Sequence, residues 1–472
     1  MADPFVSMEG ALWVLPTGPN STPLYLGCHM IDDVDVPRGG NEILRCPDPS
    51  GPNKYQTVGL LKSPPDLVSF AIDADIAAVI DYMETVNRGF AIMVTQMKAG
   101  RKNLVTNWDR AWIIEGCDIA GETLAGLAAK DENVRSTQAF AIEAEDVWRV
   151  YQMTAYRQSV AETQLFNSIF SVPGDVTKIY AVTDAGSGVA AKVWISTDGT
   201  WAAAAADPLA ADDDIKAGLV VPSSRTTNRL IVFNGTTAAG SPASGAYSDD
   251  AGATWTAITI GAINAQFISG NHVAFALDIN NMWVGMDDGY IYYSDNGGIT
   301  WVIQEAGVIT TDDWTWIQAV DASNAFAGGE AGVIAITADG GTTWSAGTVV
   351  GGGTADIMDG AALSALDAWV VLSDGRLFYT DDGAVTWTER RDFGADNVTS
   401  ISFTNNFVGF LSYGTAASVI YMTKDGGATW EAVSTPTNSG INSVLACSNQ
   451  LAYAAGDVNA ATGLLLKLQP RS

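Results

Sequence analysis

Histidine and cysteine are scarce in this chain. Its 472 residues include two histidines, His29 and His272, and four cysteines, Cys28, Cys46, Cys117 and Cys447. No CxxC pair and no metal-ligand spacing links them, which argues against a zinc or haem site, and no cofactor is expected. The cysteines read as buried free thiols of a reducing compartment. Basic residues are also few: 24 Lys and Arg against 53 Asp and Glu leave a net charge of −29. The deficit is steeper after residue 160, where 32 acids face 11 bases. Such a surface repels a phosphate backbone, so binding of nucleic acid in a basic groove is not expected. Solubility is the plain role of the acidity, and a saline habitat is the second. No apolar run reaches the length of a membrane span, so no membrane insertion is expected. The opening MADPFVSMEG lacks the basic and apolar segments of a signal peptide.

What the chain does have is glycine, 48 of them, with 15 tryptophans and many Asn and Asp. That mixture suits short strands joined by tight turns. It also has a repeat. Ser248 to Trp255 reads SDDAGATW, and the same pattern returns at Ser294–Trp301, Thr337–Trp344, Thr380–Trp387 and Thr423–Trp430. A shortened copy, STDGTW, covers Ser196–Trp201. The recurrent acid is Asp198, Asp250, Asp339, Asp382 or Asp425, with Asn296 in the third copy. The closing tryptophans are Trp201, Trp255, Trp301, Trp344, Trp387 and Trp430, and the last three intervals are 43 residues each. A period of that length fits one four-stranded propeller blade. The text between copies agrees: Val398–Phe403, Val408–Ser412 and Val419–Thr423 are β-rich, and a fourth strand begins at Trp430.

Each residue of the pattern has a folding task. The Ser or Thr ends the third strand. The carboxylate can accept backbone N–H groups across the turn. The glycine takes a backbone conformation that other residues resist. The tryptophan packs between blades. The pattern S/T-x-D-x-G-x-T-W resembles the Asp-box of sialidase-type and related β-propellers. That resemblance implies that the boxes lie on the outer rim, remote from the central channel, and serve the scaffold. Three boxless strands after Trp430 (Ile441–Ala446, Leu451–Gly456 and Gly463–Leu468), closed by a strand near Ser159–Phe166, give seven blades, with six as the alternative.

A sialidase-like site would need an arginine cluster and a tyrosine–glutamate pair. Arginine and glutamate are thin in the repeat region, and the family's opening Arg-Ile-Pro motif is missing. No carboxylate pair for glycoside hydrolysis stands out among the many Asp, so no catalytic residue is assigned and the chain is not expected to be an enzyme. Outside the boxes, Trp283 and Trp369 read as blade core. Trp314 and Trp316, in DDWTWIQ, are the candidate glycan contacts, one of them facing out or into the channel. Photosystem assembly factors also carry Asp-boxes on seven blades, but they lack a forward domain.

Residues 1–158 carry no box and form the expected first domain, with the propeller at 159–472. Strand candidates are Ala11–Leu15, Pro23–Cys28, Gln56–Leu61, Leu67–Ile72, Gly89–Gln96, Ala111–Cys117 and Thr137–Ala144. One helix fits between Asp73 or Asp75 and Gly89, with Ile76, Val79, Ile80, Met83 and Val86 on its apolar face. The fold class is therefore mainly β: a β-sandwich or barrel with one helix, then an Asp-box propeller. The order of DLVSFAID, a lone helix, further strands and a late STQAFAIEA is similar to the tail tube proteins of long-tailed phages. That resemblance implies stacked hexameric rings around a DNA channel in a virion tail, assembled in the host cytoplasm with other tail proteins. DNA would pass without specific binding, and an outward propeller could touch host-surface glycans. Acidic walls suit such a channel, and Glu115, Asp118, Glu143 and Glu145 are the candidate lining. The basic turn Lys98–Lys102 is a candidate ring-to-ring contact. The alternatives are a glycan-binding or glycan-cleaving propeller protein and an assembly chaperone.

Overall fold

The computed structural model describes residues 153–470 apart from short segments, the longest being 236–243 and 261–271, together with the backbone of nine strands before residue 152. The first nine are β1 (Met8–Leu15), β2 (Leu24–Gly27), β3 (Leu44–Pro47), β4 (Tyr55–Val58), β5 (Asp66–Ile72), β6 (Phe90–Met97), β7 (Arg110–Ala125), β8 (Ser136–Glu143) and β9 (Asp146–Tyr151). They pair in the order β4-β3-β1-β6-β7-β8-β5, with β2 added to β1 and β9 to β7. The strand at Leu44–Pro47 was not signalled, because four residues ending in proline carry no alternation. The expected helix and the Lys98–Lys102 turn lie outside the described residues.

Seven four-stranded antiparallel sheets follow. The first blade holds β11 (Phe166–Ser171), β12 (Lys178–Thr183), β13 (Val193–Thr197) and β14 (Thr200–Ala203). The next five are β15–β18 within 215–259, β19–β22 within 274–306, β23–β26 within 314–346, β27–β30 within 357–392 and β31–β34 within 398–432. The seventh takes β35 (Ile441–Ser448), β36 (Leu451–Asn459) and β37 (Thr462–Pro470), completed by β10 (Met153–Arg157). The closing strand thus comes from Met153–Arg157, ahead of the expected Ser159–Phe166 and of a boundary at 158/159. The reason is local. Met153 and Ala155 bury against the seventh blade while β10 pairs along β37. Residues 159–165 are instead a linker pinned by Glu162. Its buried carboxylate accepts the Thr163 and Gln164 amides at 2.8 and 3.1 Å and the Trp194 indole N–H at 2.9 Å.

The box residues form one repeated hydrogen-bonded turn between third and fourth strands. In the second blade Ser248 Oγ donates to Asp250 Oδ1 at 2.8 Å and accepts the Gly252 amide at 2.8 Å. Asp250 accepts the Thr254 amide at 2.8 Å and its hydroxyl at 2.6 Å. Asp339, Asp382 and Asp425 repeat the arrangement. Asn296 keeps the amide contact at 3.0 Å but donates its own Nδ2 to Thr300 Oγ1 at 2.6 Å. Asp198 lies outside the described residues. The tryptophan in blades two to six sits one residue before the fourth strand, whereas Trp201 lies inside β14.

Each tryptophan packs against the preceding blade. Trp201 meets Tyr453 of the seventh blade edge-on, and Trp301 meets Phe233 of the second. Trp255, Trp344, Trp387 and Trp430 join clusters shared with the blade before their own. Truncating such a half-buried or buried indole removes roughly 3–5 kcal/mol. Only the junction of blades six and seven lacks a box tryptophan, and it is built from aliphatic residues and the phenylalanines Phe407 and Phe410, with Met153 and Ala155 of the closing strand.

Two consecutive box residues carry positive φ, the second being the motif glycine. In two boxes one of the pair is alanine: Ala251 at 57° and Ala384 at 68°. An L-residue there costs about 1 kcal/mol against glycine. Ala251 is exposed and Ala384 is buried in the inter-blade core. Ala251→Gly is therefore expected to raise stability by about 0.5–1 kcal/mol in thermal unfolding. Ala384→Gly should be near neutral, since relief of strain is offset by loss of a packed methyl.

Candidate functional site at the propeller axis

The innermost strand of every blade presents one unpaired edge to the axis, and backbone groups there need partners. A bulge between the first and third residues turns side chains toward that edge in six of the seven inner strands. The second residue donates to the first carbonyl of the next blade: Asn167 to Ile215 O at 2.8 Å, Thr315 to Ile357 O, Thr399 to Ile441 O at 2.6 Å and Asn442 to Phe166 O at 3.0 Å. The third residue accepts an amide from the next blade: Asp359 from Ile401 at 2.9 Å, Ser400 from Val444 at 3.1 Å and Ser443 from Ile169 at 3.3 Å. The result is a polar belt that runs in one direction around the ring.

His272, just ahead of the third blade's inner strand, reaches into this belt. Its Nδ1 lies 2.8 Å from Asp359 Oδ2 in blade five, and its Nε2 lies 3.3 Å from Ser443 Oγ in blade seven. Its carbonyl accepts the Ile317 amide of blade four at 2.9 Å. Asp359 also accepts the Ser400 hydroxyl at 2.8 Å and the Gly360 amide at 2.8 Å. Burial favours the neutral imidazole, but the charge of Asp359 and its hydrogen bond outweigh that, so the His272 pKa is raised. The order Ser–His–Asp matches a hydrolase triad on paper. Ser443, however, is 0% exposed, is absent from the wall of the axial cavity and already accepts a backbone amide. The serine has no approach for a substrate, so the constellation ties blades together.

Above the belt lies a cavity of about 380 Å³. Phe170, Phe275, Leu363 and Phe403 line it, with Trp316 and His272 also in its wall. Leu363 and Thr404 follow directly on their inner strands. The cavity therefore opens at the end of the channel where first-to-second and third-to-fourth turns lie, the same end as the boxes. The opposite end carries Asp287, Asp288, Asp313 and Glu330. There burial first, then the charges of Asp313, Asp288 and Glu330, push Asp287 up to about 7.

The candidate residues fall in three places. The box residues are rim turns, away from the cavity wall. Trp314 and Trp316 are corrected as glycan contacts: they are 0% and 1% exposed. The bulge at Thr315 sends Trp314 to the core shared with blade three and Trp316 to the core shared with blade five. Only part of Trp316 contributes to the cavity wall. Trp283 and Trp369 are blade core, as expected. Among the channel acids, Asp118 is the register partner of Glu143, and Glu115 that of Asp146. Glu145 lies outside the described residues. His272 and Asp359 were not singled out from sequence. The one signal for His272 is its rarity, as one of two histidines in 472 residues.

A BNR/Asp-box repeat model matches residues 292–302, the third box. No curated protein matches the chain. Among solved structures the fold is similar to YCF48 from Cyanidioschyzon merolae, at 17% identity and a TM-score of 0.50, covering 68% of this chain and all of that one. It is similar to a GH74 xyloglucanase from Xanthomonas campestris, at 16% identity and a TM-score of 0.50, covering 65% of this chain and 52% of that one. It is also similar to the RRP9 WD40 repeats, at 9% identity and a TM-score of 0.51, covering 68% and 100%. At these identities the likeness shows the fold: a seven-bladed β-propeller with Asp-box turns.

Two pH effects follow. The raised His272 pKa contributes stability that is full below the ordinary value near 6.5 and is lost as pH rises through the raised value. His272→Gln should remove that dependence, seen as Tm curves for the two proteins that diverge at pH 5–6 and converge at high pH. Asp250 behaves in the opposite sense. The Thr254 hydroxyl and amide, then Ser248, lower its pKa to about 2, so its contribution is present above about pH 4 and lost as pH falls toward 2. Asp250→Asn should lower Tm at pH 7, with the deficit closing in acid.

Proposed function

We propose that the chain is a non-catalytic structural protein of a virion, a tail tube subunit whose first 150 or so residues build the ring. The propeller stands outward on the tail. The observation that carries this reading is the pairing of β7. Its first half, from Arg110 to Cys117, pairs with β6 and β9, and its second half, from Asp118, pairs with β8, which in turn pairs with β5. One 16-residue strand serving two sets of partners suits a sandwich or barrel of the tube type. Acid opposite acid, at Asp118–Glu143 and Glu115–Asp146, is unfavourable in an ordinary sheet. It is useful where a wall must let DNA slide past.

In this reading six copies close a ring, rings stack, and other tail proteins cap the stack, so the site of action is the virion tail. The propeller supplies an outward surface and no chemistry. Purified full-length protein is expected to form stacked six-fold rings, visible by electron microscopy and rising with concentration. Monodisperse monomers at every concentration and salt would remove the tube reading while leaving the propeller intact.

A further inference from the structure

The axial cavity has a chemistry of its own that neither scaffold nor ring uses. Its side walls include Phe275, Leu363 and the inner edges of the largely buried Phe170 and Phe403, beside aliphatic Leu219, Val220, Val444 and Leu445. Three polar side chains in the same wall, Gln318, Ser402 and Thr404, are already engaged, which leaves the Ser171 hydroxyl. Gln318 accepts the Ala362 amide at 3.1 Å and donates to the Ala362 carbonyl at 2.8 Å. Ser402 accepts the Ala446 amide at 3.0 Å, and Thr404 Oγ1 is 3.2 Å from Val408 O and 3.0 Å from Asn449 Oδ1. A sugar placed there would give up hydrogen bonds to water and find few in return. An apolar group would not.

The floor narrows the class further. Both ring nitrogens of His272 face polar atoms, Nδ1 at 2.8 Å from Asp359 Oδ2 and Nε2 at 3.3 Å from Ser443 Oγ. Its side chain is nevertheless 25% exposed, so what it shows to the cavity is ring carbon and ring face. Burial works against charge on the ring, but the adjoining Asp359 carboxylate outweighs it and favours the charged form. Where that ring is protonated, its face and the neighbouring phenylalanines favour a π-system over an aliphatic group of equal size. The volume, about 380 Å³, accommodates one such ring.

We propose that the axial cup binds a single aromatic ring presented by a partner, seated between the phenylalanines against the face of His272. The ring can belong to a tryptophan or tyrosine at the tip of a polypeptide or to a free aromatic molecule; the recognition chemistry is the same.

The test uses the full chain and three probes: indole, cyclohexylmethanol of similar size, and a five-residue peptide with one central tryptophan between glycines. Calorimetric titration and saturation-transfer NMR at pH 6 should show saturable one-to-one binding of indole, at least fivefold tighter than cyclohexylmethanol. Leu363→Trp, at a half-buried wall position, should fill the cup and abolish binding. His272→Gln keeps polar contacts to Asp359 and Ser443 without the charge. It should weaken indole about three- to fivefold at pH 6 and flatten the pH dependence. Peptide binding tighter than indole identifies a polypeptide partner, and equal binding identifies a small molecule; both support the cup. The proposal is overturned by absence of saturable indole binding, by equal affinity for cyclohexylmethanol, or by unchanged indole binding in folded Leu363→Trp. If that variant does not fold, an unaltered indole affinity and pH profile in His272→Gln overturns it. Ring formation by residues 1–158 is read separately, so either idea can fail alone.

Discussion

Seven sheets meeting at one axis leave seven strand edges without a neighbour, and the whole ring depends on how those edges are satisfied. A buried amide or carbonyl without a partner costs about 1–3 kcal/mol. Here the bulged inner strands lend side chains to the next blade, residue by residue, as from Thr399 to Ile441 and from Asn442 to Phe166. The rim uses the opposite sense. Each box tryptophan packs back onto the blade before it. Forward hydrogen bonds at the axis and backward packing at the rim act together at most junctions, and the junction of blades six and seven relies on the axis and its own core.

That division of labour separates the box from any binding role. The box acid spends its acceptor capacity on its own turn, as Asp250 does on Ser248 and Thr254. Replacing the acid by Asn296 keeps the turn because the amide oxygen still accepts and the Nδ2 finds a hydroxyl. A group so fully used at the periphery has little left for a ligand. The axis is different. His272 and Asp359 lie 2.8 Å apart at the axis, and beside them the cavity wall mixes phenylalanines with a few polar side chains.

The forward strands add the second half of the logic. β10 follows β9 with one residue between them. The closing strand of the ring is thus also the last step out of the forward region.

Local chemistry was enough to place the turns. Asp, Gly and Trp at fixed offsets, and β-rich runs between them, announced the blades because a turn is decided by residues within eight positions of one another. The count of seven also followed, from chain left over after Trp430. What the sequence could not carry was anything set by contact across the ring. Trp314 and Trp316 read as a pair with one ring free, but a bulge and two flanking blades bury both. Met153–Arg157 read as part of the forward domain, yet its partner is more than 300 residues away in β37. His272, Asp359 and Ser443 share no motif and no spacing; they meet only because blades three, five and seven face one another over a narrow channel. The sequence determined each blade, since a blade is made of neighbours. The tertiary structure decided the axis, since its groups acquire partners only when the ring has closed.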